Sequence, residues 1–272
     1  MSGAIQEHNE RPAAVWSSGG RGYDKVSHQI SAALEHCVQR LDPRPGERAL
    51  DVATGTGWTS RLLARQGAKV TGGDIAADLL ASARVRAAAE QVDIDYRVED
   101  AEKLSFADAS FDIVASTFGV MFVSRPEAAA AEIARACRSG GRLGLLTWAP
   151  DGNVFEMFKV MRAYMALPAA PPPSPPPSPF EWGKPERVGQ LLGSAFDLKF
   201  EQGTCVYYDH DGEAAWEVFV DGYGPTKALA GSLDETRRAD LRRDFVAFHD
   251  RFRTELGIAV PRTYLLTIGR RR

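Results

Sequence analysis

Cysteine is scarce: the 272 residues contain three, Cys37, Cys137 and Cys205. They are odd in number and far apart, without the C-x-x-C spacing of a zinc site, so they read as buried thiols in a reducing compartment and not as a disulfide framework. Long apolar runs are missing as well. No stretch approaches the ~20 residues of a membrane span, and Met1 to Pro12 is polar, without the charged-then-apolar pattern of a secretory signal. Together these absences give the expectation of a cytoplasmic protein. An excess of one charge is also lacking, because 33 Lys and Arg face 36 Asp and Glu for a net charge of −3. A chain so balanced has no basic field to hold a phosphate backbone, which turns the expectation from nucleic acid to a small molecule. The histidines are scattered and the carboxylates lack ligand spacing, so no metal is expected.

What is present is alternation. From Arg48 to Trp148 short apolar runs exchange with alanine-rich helical patterns, which builds a mostly parallel sheet of an α/β fold. Strands are predicted near Arg48 to Val52, Lys69 to Gly73, Ile94 to Val98, Phe111 to Ser116 and Arg142 to Trp148. Helices fit Trp58 to Arg65, Ala76 to Glu90 and Pro126 to Cys137, and Tyr23 to Leu41 has helical spacing upstream. After Trp148 the alternation stops. A helix over Val154 to Met165 leads to the proline run Ala169 to Pro179, read as an exposed, semi-rigid loop. A short helix near Pro185 to Ser194 follows. Strands at Leu198 to Tyr208 and Arg262 to Gly269 then enclose helices at Gly212 to Val220 and Asp234 to Phe252, separated by the breaker Gly222-Tyr-Gly-Pro225. If these are the last strands of the sheet, residues 209 to 261 form a helical cap over the ligand edge. The chain thus divides into an N-terminal helical gating segment (1–45), a core (46–150) and a region of cap helices, Pro-rich loop and last two strands (151–272).

The first strand ends in Asp51-Val-Ala-Thr-Gly-Thr-Gly57 and turns into a helix, which places glycines where the backbone bends sharply and a ligand comes close. No Lys-Ser/Thr follows, against a phosphate-binding loop. Asp51 just before the turn suits a ligand carrying an ammonium group better than a pyrophosphate. Asp74, at the end of the second strand, stands where an acid accepts from both ribose hydroxyls of an adenosyl group. After the third strand, Asp100 can accept from an adenine amino group while the Ala101 backbone reads the ring edge.

This ordered series, Asp51 to Gly57, Asp74, Asp100-Ala101, Phe111-Asp-Ile-Val114 and Thr117-Phe-Gly119, resembles the class I S-adenosylmethionine-dependent methyltransferases. Within them it is most similar to the group of ubiquinone and menaquinone C-methyltransferases, over roughly residues 20 to 150. The resemblance implies a Rossmann-like, seven-stranded, mostly parallel sheet and S-adenosylmethionine as cofactor. It places Ala53, Thr54, Gly55, Thr56 and Gly57 along the cofactor, with Asp51 toward its methionine amino group, directly or through water. It places Asp74 on the ribose, Ile75, Asp100 and Ala101 on the adenine, and Thr117 and Phe118 beside the methionine. Ala53 departs from the group's commonest residue there, a glycine. The fourth strand ends in Ser116-Thr-Phe-Gly119 and lacks the Asn/Asp-Pro-Pro-aromatic tetrad of enzymes that methylate nucleobase amino groups.

Methyl transfer from a sulfonium is an in-line displacement, so the protein's main tasks are alignment and exclusion of water. A general base is optional, and His210 and His249 are the candidates. Tyr23, Phe122, Trp148 and Tyr223 are the candidate substrate contacts, in an aromatic pocket that suits an aromatic or apolar acceptor. Two other readings stay open: an NAD(P)-dependent oxidoreductase, from the same Gly turn and Asp74, and an S-adenosylmethionine-binding protein without activity.

Overall fold

A computed structural model describes residues 4–166 and 177–272. Seven long strands make the body of an eight-stranded sheet. They are β1 (Arg48–Val52), β2 (Lys69–Asp74), β3 (Ile94–Val98), β4 (Phe111–Thr117), β5 (Cys137–Trp148), β6 (Phe196–Asp209) and β8 (Gly257–Arg271); β7 (Arg253–Thr254) is a two-residue flap paired to β8. The order is β3-β2-β1-β4-β5-β8-β6. β8 runs antiparallel to both β5 and β6, while the first five strands are mutually parallel. Strand order reverses between β1 and β4, and a crevice opens there at the carboxyl ends of the strands.

The helices are α1 (Glu7–Ser17), α2 (Tyr23–His28), α3 (Ser31–Leu41), α4 (Trp58–Arg65), α5 (Ala77–Ala89), α6 (Pro126–Ala136), α7 (Asn153–Arg162), α8 (Pro185–Leu192), α9 (Gly212–Gly222), α10 (Gly224–Ser232) and α11 (Glu235–Asp250). β1 and β4 lie at the centre of the sheet, and their apolar runs are buried on both faces, as parallel strands covered by helices require: Leu50, Ile113 and Val114 are each fully enclosed. None of the described helices is long and apolar enough to cross a membrane.

The sequence-based elements need four amendments. β5 starts at Cys137 and not at Arg142, with the register shift of a bulge between Phe111 and Ile113 on its partner strand. β6 and β8 are longer than read, because they pair with each other along their whole length from Phe196↔Arg271 to Asp209↔Ile258. The chain does break at Tyr223, but a further helix, α10, follows at once, with Pro225 in its first turn where its missing N–H costs nothing. The polar N-terminus carries a helix, α1, that its composition conceals. The proline run falls outside the described residues as far as 176.

Candidate active site

The turn after β1 is built by left-handed backbone. Ala53, Gly55 and Gly57 have φ of +55°, +57° and +78°, and the Gly57 amide donates to the Thr54 carbonyl at 2.9 Å. Glycine is required at 57 on two counts, since a Cβ there would also lie 2.1 Å from the Tyr96 hydroxyl. Phe118, at the end of β4, also has positive φ, +58°. For a bulky aromatic this is an outlier, held by stacking on Trp148 at 3.8 Å. Phe118 lines the crevice.

One pocket fills that crevice. Ala53, Gly55, Asp74, Ile75, Asp100, Ala101 and Phe118 line it together with Tyr23 and Phe122. Asp74 is buried, and its oxygens accept from the Gly55 and Ala76 amides at 2.8 Å each. Burial pushes its carboxyl up to about 6 against these hydrogen bonds. Tyr23 lies against Gly55, and burial, then the Asp74 charge, raise its phenol.

Asp51, Thr54, Thr56, Gly57 and Thr117 do not line the pocket. Asp51 is fully buried; its Oδ2 accepts from Thr54 Oγ1 at 2.6 Å and Ser60 Oγ at 2.8 Å, while Oδ1 has no partner. Burial, opposed by those hydroxyls, brings its carboxyl to about 6. Thr56 is buried with an unpartnered hydroxyl, and Thr117 bonds Thr59 at 2.7 Å. Asp51 thus braces the turn through Thr54 and Ser60.

Asp100 lines the pocket and also makes contacts beyond the adenine-edge reading. Its two oxygens accept from the Gln6 amide at 3.0 Å, from Asn9 Nδ2 at 3.2 and 3.0 Å, and from the Glu102 amide at 2.9 Å. The acid therefore caps α1 across the chain, with its charge at the positive end of the helix. Glu102 joins the latch by pairing with His8 at 2.6 Å, and Ser124 donates to Asn9 at 2.9 Å. As a result Asn9, Pro12 and Trp16 enter the pocket wall. Sequence reading missed Asn9 and Pro12 as site residues; the acidic first turn, Glu7 and Glu10, was the available signal of a helix start.

The other candidates fall into two groups. Tyr223 stands behind Tyr23, with ring planes 17° apart and centroids 6.3 Å apart, and Trp148 stands behind Phe118; both support wall residues and do not line the pocket themselves. The histidines are elsewhere. His210 is exposed on the loop after β6. His249 is buried among Phe245, Phe248, Phe219 and Tyr207, its Nδ1 donating to the Phe245 carbonyl at 2.8 Å. Burial lowers His249 to about 4, so neither ring is placed as a base at the pocket.

The pocket fits a cationic adenosyl ligand. Asp74, Glu99, Asp100 and Glu102 line it and no Lys or Arg does, among the described residues, so a phosphate-bearing nucleotide would meet charge of its own sign. Apolar Ile75, Leu79, Ala101 and Leu104 supply flat surface for a ring beside the Asp74 carboxylate.

Comparison with known proteins agrees. Residues 50–145 match a family described as a methyltransferase domain. An uncharacterised protein of Mycobacterium tuberculosis is 32% identical over 263 residues, spanning 95% of this chain and 93% of that protein. A demethylmenaquinone methyltransferase of Beutenbergia cavernae is 33% identical over 156 residues, covering 54% of this chain and 63% of its own. Among solved structures, an N-methyltransferase of Haemonchus contortus, in complex with phosphomonomethylethanolamine and S-adenosylhomocysteine, superposes with a TM-score of 0.53 at 18% identity. It covers 88% of this chain and 52% of its own, a likeness of fold alone.

Proposed function

This chain belongs to the class I S-adenosylmethionine-dependent methyltransferases, related to the ubiquinone and menaquinone C-methyltransferase group, and we propose that it methylates a small aromatic or apolar molecule at oxygen, nitrogen or carbon. The observation that carries the reading is the pairing of an acidic pocket without Lys or Arg and an aromatic rim of Trp16, Tyr23, Phe118 and Phe122. S-adenosylmethionine supplies a methyl group made electrophilic by its sulfonium. The residues do the rest. Asp74 would hold the ribose hydroxyls, Ile75 and Ala101 would flank the adenine, and Ala53, Gly55 and Phe118 would border the methionine end, with Asp51 as counter-charge. Trp16 and Tyr23 would exclude water and align the acceptor for in-line displacement. With no histidine at the pocket, an acceptor that is already ionised needs no base.

The test is a labelled-methyl transfer screen over phenols, quinols, aromatic acids and aliphatic amines. Transfer to one of the aromatic classes is expected; turnover confined to aliphatic amines would overturn the acceptor class. Asp74→Ala, with its fold verified by circular dichroism, is expected to weaken S-adenosylhomocysteine binding roughly a hundredfold in calorimetric titration, since two hydrogen bonds to a charged group are lost. Wild-type affinity in that variant would mean that Asp74 does not hold the ribose.

A further inference from the structure

Arg262 is a buried cation without an anion. It lies on β8 opposite Cys205, is 4% exposed, and has no ion pair among the described residues; its Nη2 has no hydrogen-bonding partner. The guanidinium lies over the ring of Tyr207 at 4.2 Å and near that of Phe219 at 5.5 Å. These faces hold it in place and offset part of its lost hydration, but leave the planar fork of donors unused. Tyr207 spends its own hydroxyl on Asp209, at 2.7 Å. A second unpartnered atom shares the enclosure. Because His249 Nδ1 must donate to the Phe245 carbonyl, Nε2 is a bare acceptor, and it too is unsatisfied.

The position relates this cation to the site. Tyr264, two residues along β8, pairs with Trp148, the last residue of β5, and its ring meets Phe118 at 6.1 Å. Residues two apart in a strand share a face, so Arg262 lies on the face of Tyr264 and one step further out, beyond the carboxyl end of β5. From the pocket wall a run of rings leads to it: Tyr23 to Tyr223 at 6.3 Å, Tyr223 to Phe219 at 5.6 Å, and Phe219 to the guanidinium.

We propose that Arg262 is the anchor for a carboxylate on the methyl acceptor, which makes the acceptor an aromatic acid. A buried guanidinium without a counter-ion is unfavourable, and its fork matches a carboxylate through two parallel hydrogen bonds. The buried rings of Tyr223 and Phe219 stand between that anchor and the pocket wall at Tyr23, so the acceptor's ring displaces them to lie between the anchor and the methyl donor. Charge then sorts the two ligands. The cationic cofactor meets carboxylates at Asp74 and its neighbours, and the anionic acceptor meets the guanidinium in the cap. Burial brings the Arg262 guanidinium down to about 10, still charged at neutral pH. Arg262 is on this account a positioning residue for the acceptor.

The inference rests on the acceptor reading above and is tested separately from it. The full chain, loaded with S-adenosylhomocysteine, is titrated calorimetrically with 4-hydroxybenzoate, salicylate and 2-naphthoate and with the carboxamide of each. Wild type is expected to bind at least one acid tenfold or more tighter than its amide. Arg262→Met, which keeps the packing volume, is expected to bind acid and amide alike while S-adenosylhomocysteine affinity is unchanged. If Arg262→Met does not fold, Arg262→Lys decides, since it keeps the charge and loses the fork: a reduced preference supports the anchor, an undiminished one overturns it. Wild type that binds none of the acids, or binds acid and amide equally, also overturns it. Failure of wild type to bind S-adenosylhomocysteine would instead strike the methyltransferase reading itself.

Discussion

At Ala53 an L-residue holds the left-handed φ of +55° at a place where the related enzymes most often carry glycine. That conformation costs an L-residue about 1–2 kcal/mol, offset in part by the smaller chain entropy of alanine in the unfolded state, about 0.5–1 kcal/mol. Ala53→Gly is therefore expected to stabilise the protein by about 0.5–1 kcal/mol in urea unfolding, and a loss of stability would show that the backbone is not strained. Gly119 answers in the opposite sense. A Cβ there would lie 2.4 Å from the Ala53 Cβ and 2.8 Å from its carbonyl oxygen, so Gly119→Ala is expected to destabilise by about 1–3 kcal/mol in the same measurement. Asp51 carries a pH signature. Its folded value of about 6 lies above its ordinary 3.8, so ionisation costs stability, from nothing below pH about 4 to a full cost of about 3 kcal/mol above pH about 6. Without ligand, Asp51→Asn is expected to gain stability over wild type across that window and to lose the gain again on acidification. Parallel curves for the two proteins would contradict it. Asp74 and the glycines were legible because each sits at a strand end whose local pattern fixes its place. The orphan nitrogens of Arg262 and His249 were not, since a side chain's lack of a partner is settled only when every distant element has packed.

At the scale of elements, α1 shows most clearly what local pattern cannot convey. No side chain of its own caps Gln6; the cap is Asp100, over ninety residues away, so the start of the helix is written in the loop after β3. The same remoteness hid the second role of Asp100, which as a loop acid reads like any turn residue. Tyr223 is comparable: flanked by glycines and followed by proline, it looks like a chain break, yet it is a one-residue joint between α9 and α10. Its neighbours must be small, because a Cβ on Gly222 would lie 2.4 Å from the Gly22 carbonyl oxygen and one on Gly224 2.2 Å from that of Val15. Asn9→Ala tests the latch, since Asn9 is 4% exposed and donates to both Asp100 oxygens. The loss of these charge-assisted bonds is expected to destabilise α1 by about 1–3 kcal/mol. Hydrogen exchange is expected to quicken over residues 7–17 while β1 and β4 stay protected. Unchanged exchange in α1 would show that the latch does not hold it.

Across the whole molecule, charge and connection divide the work. The half built from β1 to β5 was legible from alternation alone, and it holds the acidic crevice and the strained turn residues. The half after Trp148 was legible only as strands and helices in series, since its arrangement depends on β6 and β8 pairing over a long register and on cap helices that pack on one another and on α1 and α2. Asp209 and Ile258 are directly paired across β6 and β8, so α9, α10, α11 and β7 form an excursion that leaves the sheet and returns to the same spot. Such an excursion can be lengthened, shortened or exchanged without moving any strand that shapes the crevice. Natural variation and laboratory recombination can thus alter residues 210 to 256 while the pairing of β6 with β8 is inherited intact.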